Sequence, residues 1–274
     1  MGISTNDDEA ATNEQQPNEA FLELTGVRTM SHTHLIFGEF FGTLVLIVLG
    51  DGVVAGVLLS KTKSHAAGWI TVTAGWALAV FAGVAVSQAF GDTDAHLNPA
   101  ITVASVLSTG NAWRLAIYIP AQLAGAFAGA VLVWMHYMPH WAVTESADLK
   151  FACFATSPAI PNRVWNFFSE VLATFILVLV ATALFSKRVA PGGLAPGLGP
   201  VLVGALVWGI GLSLGGTTGY AINPARDLGP RLAHAVLPIA GKRDSNWGYA
   251  WVPIFGPLVG AAMAAAFVHY FNVT

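Results

Sequence analysis

Long apolar runs alternate with short polar breaks along most of the chain. The runs fall at roughly 34–59, 67–90, 114–138, 164–185, 198–214 and 249–271. A bilayer core about 30 Å thick is crossed by about 20 residues rising 1.5 Å each, and most of these runs are long enough. The fifth is shorter and merges into a Gly-rich continuation. The pattern predicts six membrane-spanning helices. Trp69, Trp113, Trp134, Trp141, Trp165, Trp208, Trp247 and Trp251 fall mostly near run ends, where an interfacial belt would put them. Small residues recur inside the runs, as in Gly125-Ala126-Phe127-Ala128-Gly129 and Gly260-Ala261-Ala262, and let helices approach closely in lipid. Residues 1–31 differ in kind, with Asp7, Asp8, Glu9, Glu14 and Glu19 among Asn, Gln and Thr. Lacking a basic start, an apolar run and a cleavage site, they are read as a disordered polar tail and not a signal peptide.

The runs repeat. Gly38-Glu39-Phe40-Phe41-Gly42-Thr43 resembles Ser169-Glu170-Val171-Leu172-Ala173-Thr174, and Gln122-Leu123-Ala124-Gly125-Ala126 resembles Pro257-Leu258-Val259-Gly260-Ala261. Between these pairs, Asn98-Pro99-Ala100 returns as Asn223-Pro224-Ala225. The landmarks keep their order at separations of 131, 135 and 125 residues respectively, which indicates a tandem duplication. The expected division is a tail over 1–31 and a channel domain over 32–274. That domain holds a first repeat (32–138), a connecting loop (139–163) and a second repeat (164–274). Three spans per repeat is an odd number, so the second repeat lies upside down relative to the first. Inverted repeats of this kind place function near the midplane between the halves.

Each Asn-Pro-Ala suits a helix start, because Asn is a favoured N-cap and Pro fits the first helical position. The segments that follow, 101–109 and 226–236, give about 14–16 Å each at 1.5 Å per residue, half a bilayer core. In an inverted repeat the two half-helices meet N-terminus to N-terminus. Irregular backbone at that depth is tolerated only where protein or a water-filled cavity surrounds it, so a pore follows. Two helix N-termini aimed at one place create a positive potential that disfavours cations and protons. Each Asn caps its helix with the side-chain oxygen and leaves its amide N–H groups free to donate to a passing hydroxyl.

Glu39 and Glu170 each lie inside an apolar run. A buried carboxylate there serves either as a proton or ion relay or as an acceptor that ties down loop N–H groups, and its symmetric placement favours the second role. Charge and composition narrow the remaining classes. The chain is 55% hydrophobic and only 10% charged, against about 25% charged for a soluble domain, so a polytopic membrane protein fits better than a globule. A net charge of −3 gives no basic field for nucleic acid. The one cysteine, Cys153, excludes an intrachain disulfide and is read as a small space-filler. The eight His are scattered without metal-ligand spacing, and there is no nucleophile–base set or phosphate loop. No metal, cofactor or enzymatic activity is expected.

The two Asn-Pro-Ala motifs, the two run glutamates and Ala95-His96-Leu97-Asn98-Pro99-Ala100 closely resemble the major intrinsic proteins, the aquaporin family, over about residues 34–271. Asn223-Pro224-Ala225-Arg226-Asp227, with Arg231 four places after Asp227, is similar to the glycerol-facilitator branch, as is Pro253-Ile254 in the last run. Asp227 and Arg231 are also spaced i, i+4 with the acid first, the favourable order on a helix. The resemblance implies an all-α fold of six transmembrane helices plus two half-membrane helices. It also implies a multi-pass cell-membrane location and a homotetramer with one pore per subunit. It implies a selectivity filter of Trp76, Gly211, Tyr220 and Arg226, and pore-facing carbonyls from Asp94, Ala95 and His96 and from Gly219, Tyr220 and Ala221. In such a filter Arg226 donates to hydroxyls and repels cations, Trp76 and Tyr220 make an apolar corner, and Gly211 leaves room where a narrow water filter has His.

The chain departs from the family at Tyr220, where the branch more often has Phe. A second departure lies within 88–94, where the 22 residues from Trp76 to Asn98 exceed the family's spacing by about two. Asp92 and Asp94 in that insertion are read as parts of a solvated loop rather than as a pH sensor. The expected activity is passive passage of glycerol and similar small uncharged solutes, with some water. Passage of water or of small protonated acids such as lactic acid, and proton-coupled transport through Glu39 or Glu170, stay open on the residues alone.

Overall fold

The computed structural model describes residues 32–92 and 94–273, so the expected tail at 1–31 lies outside the described residues. The described residues are helical, without strands. Ten helices follow in order: α1 (His32–Leu58), α2 (Trp69–Ala89), α3 (Pro99–Thr109), α4 (Trp113–His136), α5 (Met138–Val143), α6 (Ala147–Ala152), α7 (Arg163–Phe185), α8 (Leu198–Leu214), α9 (Pro224–Val236) and α10 (Trp247–Tyr270). Five of them, α1, α2, α4, α7 and α10, are long and apolar enough to cross a membrane. The fifth run forms α8, which is apolar but has 17 residues, about 25 Å at 1.5 Å per residue. The half-helices are α3 and α9, of 11 and 13 residues.

The packing repeats as the sequence does. In the first half α1 packs on α2 and α4, and in the second α7 packs on α8 and α10. Each half-helix crosses over: α3 packs against α10 and α9 against α4, so neither half closes its own interior alone. The α1–α4 and α7–α10 crossings need small residues for a steric reason. A Cβ on Gly125 would overlap the carbonyl oxygen of Phe40, and one on Gly260 would overlap that of Val171. In lipid, with no hydrophobic effect between helices, such close contact supplies the association.

One aromatic leaves the expected belt. Trp141 is 2% exposed, packs against Phe154 and donates its Nε1–H to the Trp134 carbonyl at 2.9 Å. It is a core residue of the connecting segment, which carries the short helices α5 and α6. Cys153, beside α6, is fully buried.

Candidate functional site

Two loops run inward to the starts of α3 and α9. In each, non-glycine residues take left-handed backbone: Ala95 (φ 45°), Leu97 (φ 52°), Tyr220 (φ 38°) and Ile222 (φ 45°). Such conformations cost about 1–2 kcal/mol each, so something must hold them. Glu39 and Glu170 do. The Glu39 carboxylate accepts from the N–H groups of His96 (2.6 Å) and Leu97 (2.8 Å) and from Gln122 Nε2 (2.7 Å). The Glu170 carboxylate accepts from the N–H groups of Ala221 (3.0 Å) and Ile222 (2.9 Å) and from Thr218 Oγ1 (2.6 Å). A trans peptide points its C=O opposite to its N–H. The carbonyls of Ala95, His96, Tyr220 and Ala221 therefore point away from the two glutamates, and all four residues line a cavity. Asp94 and Gly219, the outer members of the two expected triplets, line cavities as well.

Asn98 and Asn223 cap α3 and α9, each followed by Pro at the first helical position. Asn98 Oδ1 accepts from the Ala100 N–H at 2.8 Å; Asn223 Oδ1 accepts from those of Ala225 (2.9 Å) and Arg226 (3.2 Å). Their amide groups are not wholly free, contrary to the sequence reading. Asn98 Nδ2 donates to the Ile222 carbonyl at 2.9 Å, and Asn223 Nδ2 donates to the Leu97 carbonyl at 2.8 Å. One N–H on each amide is thus used to join the loops, and the other makes no hydrogen bond among the described residues. Both Asn side chains line the same cavity.

That cavity, of about 410 Å³, has a mostly apolar wall that includes Val80, Val84, Val203 and Val207. A second cavity, of about 670 Å³, is bordered by Trp69, Thr156 and Gly216. Among the described residues, Trp76, Tyr220 and Arg226 are the wall residues common to both, so they form the waist between them. Arg226 is in the first turn of α9 and sits over the Trp76 ring, with Cζ 4.2 Å from the ring centroid. Gly211 lines neither cavity but stands directly behind Tyr220, where an added Cβ would lie 2.8 Å from the ring Cζ and 2.9 Å from the hydroxyl. Missing from the sequence reading is Trp69, which donates Nε1–H to the Gly211 carbonyl at 3.0 Å and meets Tyr220 edge-on at 5.8 Å. The Tyr220 hydroxyl and the Trp76 Nε1–H have no hydrogen-bond partner among the described residues.

Asp227 and Arg231 line neither cavity and are fully buried. Arg231 pairs with Asp227 through Nε (2.7 Å) and Nη2 (3.0 Å), and donates to the carbonyls of Thr156 (3.0 Å), Ser245 (2.8 Å) and Asn246 (3.1 Å). Thr156 returns two bonds to Asp227 Oδ2, from its N–H (2.8 Å) and its hydroxyl (2.6 Å). The pair ties both flanking loops to α9, and Thr156 carries the effect to the wall of the larger cavity. Thr156 gave no sequence signal, because its partner lies 71 residues away. Pro253 and Ile254 lie within α10 and border neither cavity.

The solvated loop expected within 88–94 holds for Asp94, which is exposed along with Gln88, Ala89 and Phe90, but not for Asp92. Asp92 is fully buried, and its carboxylate accepts from Ser87 Oγ (3.0 Å) and the Tyr118 hydroxyl (3.3 Å). Asp94, which borders the smaller cavity, is ion-paired with Arg114. These contacts tie Asp92 and Asp94 to Tyr118 and Arg114 of α4.

A family model described as "Major intrinsic protein" matches residues 26–269. The chain belongs to the major intrinsic protein family. Among curated members, it is 53% identical to "Glycerol uptake facilitator protein 3" of Lactiplantibacillus plantarum over 231 residues, covering 84% of this chain and 93% of that one. It is 39% identical to a "D/L-lactic acid transporter" of the same organism, covering 87% and 98%. Among solved structures it matches the aquaglyceroporin from Plasmodium falciparum with a TM-score of 0.76 at 31% identity, covering 87% of this chain and 96% of that one. The fold is the family's: six spans and two half-helices in an inverted repeat.

Proposed function

We propose that the chain is a passive transmembrane channel for glycerol and other small uncharged solutes, with some water, and that Trp76, Gly211, Tyr220 and Arg226 form its selectivity filter. The observation that carries this reading is the waist of Trp76, Tyr220 and Arg226 between the two cavities. The Tyr220 and Trp76 rings supply apolar wall for the C–H edge of a polyol, and the guanidinium, which sits over the Trp76 ring, donates to its hydroxyls. Next along the path come acceptors from the carbonyls of Asp94, Ala95, His96, Gly219, Tyr220 and Ala221, and the remaining amide N–H of each Asn. A solute with hydroxyls along one side and carbon along the other exchanges water for this stripe step by step. Arg226 and the two helix N-termini make the path unfavourable for cations.

The relatives' names agree in kind, one being a glycerol uptake facilitator and another an aquaglyceroporin. The engagement of both span glutamates by loop N–H groups supports passive flux, since a proton relay needs an uncommitted carboxylate. The working unit is a homotetramer in the cell membrane, each subunit built from repeats at 32–138 and 164–274 with its own pore. The test is swelling of proteoliposomes in glycerol, in a water-only osmotic step and in lactic acid. Glycerol entry well above that of empty vesicles is expected, and water entry without glycerol entry would overturn the assignment. A second reading, passage of small protonated acids, is favoured by the 39% identity to the relative named a D/L-lactic acid transporter. Lactic acid entry faster than glycerol entry would establish it.

A further inference from the structure

Asp51 lies in the interior of α1, between two glycines whose surroundings locate it. An added Cβ on Gly50 would run into the Trp76 ring, so this turn of α1 is the wall behind the waist. The Gly52 carbonyl accepts from the Tyr137 hydroxyl at 3.1 Å. Asp51 itself is 1% exposed, and its Oδ2 has no hydrogen-bond partner among the described residues. A bare carboxyl inside a membrane span is costly, and ionisable groups at such depth ordinarily have a partner and a task.

Its charged surroundings narrow the task. Arg226 and Asp227 of α9 are within electrostatic reach, and the titratable groups nearby are the Cys153 thiol and the Tyr137 hydroxyl. Asp227 is already committed to Arg231 and Thr156. The ion pairs among the described residues are Arg114–Asp94, Arg231–Asp227 and Arg243 with Asp148 and Asp244; Arg226 is in none of them. A guanidinium that stacks on the Trp76 ring but has no ion-pair partner and a carboxyl whose Oδ2 has no hydrogen-bond partner thus flank the same wall. The repeat supplies a second argument. At the separation of 131 that relates Glu39 to Glu170, the counterpart of Asp51 is the uncharged Thr182. The acid is therefore not part of the duplicated scaffold.

We infer that Asp51 is a positioning residue for charge, which sets through space how positive the Arg226 constriction is and so how strongly the pore admits small monovalent anions. This rests on the reading of Arg226 as part of the constriction. Ionised Asp51 offsets the guanidinium field. When it is protonated or replaced by a neutral residue, the field is uncompensated, and anions enter more readily while cations are held out more firmly.

The test uses nitrate as the probe. Nitrate influx driven by a potassium–valinomycin potential is compared in wild-type, Asp51→Asn, Asp51→Ser and Asp51→Glu vesicles across the pH range in which vesicles stay sealed. Wild-type influx is expected to rise as pH falls, because protonation removes the offsetting charge. Asp51→Asn and Asp51→Ser should be flat with pH and stay at the wild type's acid level. That level should lie about tenfold above the wild type's alkaline value, which corresponds to about 1.4 kcal/mol. Asp51→Glu should restore the pH dependence. Two neutral variants guard against one that fails to insert, and a flat wild-type profile overturns the inference without either. Superimposed wild-type and neutral-variant profiles also overturn it. Glycerol entry in the same wild-type vesicles separates the two failures. Its absence would overturn the channel reading, and its presence with superimposed nitrate profiles would overturn only the role of Asp51.

Discussion

Asn98 and Asn223 hold each other's loops across the middle of the bundle. The Asn98 amide donates to the Ile222 carbonyl at 2.9 Å and the Asn223 amide donates to the Leu97 carbonyl at 2.8 Å, while each side-chain oxygen caps its own half-helix. One residue type does three tasks here because a primary amide carries one acceptor oxygen and two donor hydrogens. The duplicated motif is the reciprocal latch between two inverted halves as well as a pair of helix starts.

Replacing either Asn removes a cap and leaves a buried carbonyl unpaired. Asn98→Ala should lower stability by about 2–4 kcal/mol, from a cap of about 1 kcal/mol and an orphaned carbonyl at about 1–3 kcal/mol. Asn98→Asp keeps the capping oxygen, loses the donor and places a negative charge where the two helix N-termini meet. It should lose less stability and raise cation leak. Thermal unfolding in detergent and sodium flux in vesicles check both, and an Asn98→Ala protein as stable as wild type would contradict the latch.

Arg231→Met should be severely destabilising, by about 3–5 kcal/mol, because it strands the Asp227 carboxylate in a buried site. The same substitution releases the carbonyls of Thr156, Ser245 and Asn246. Unfolding midpoints read this directly, and a loss under about 1 kcal/mol would mean that the pair does not anchor the loops.

How far the sequence carried can be judged at these residues. The half-helices at Pro99–Thr109 and Pro224–Val236 were legible because Asn-Pro caps are local chemistry with a fixed position in the helix. The spans were legible because bilayer thickness dictates their length. Asp92 was misread as solvated, since its partner Tyr118 is brought beside it only by packing of the inserted loop on α4. Thr156 and Trp69 gave no signal, as each acts on a backbone or carboxylate group 71 or 142 residues distant. Asp51 was passed over because it lies outside every motif, and burial alone makes it conspicuous.

Tyr220→Phe removes a buried hydroxyl that has no partner. Stability should stay level or rise by about 1 kcal/mol, since no hydrogen bond is lost and a desolvated polar group is removed. A fall of more than about 1 kcal/mol in unfolding free energy would show that the hydroxyl is bonded after all.

Burial pushes the Cys153 thiol well above the ordinary thiol range. The reactive thiolate is then scarce at neutral pH, and its fraction grows only as pH rises toward that displaced value. Maleimide labelling of folded protein should be slow at neutral pH and become fast on denaturation. Rapid labelling of the native protein would place Cys153 at the surface, against its burial beside α6.

The waist is tested most directly at Gly211, where any side chain must displace the Tyr220 ring. The measurement is glycerol permeability and water permeability, taken side by side in vesicles of wild type and of Gly211→His. The expected result is substantial glycerol entry in wild type and a larger fractional loss for glycerol than for water in the variant. Equal loss of the two, or no glycerol entry in wild type, would contradict a filter built from Trp76, Gly211, Tyr220 and Arg226.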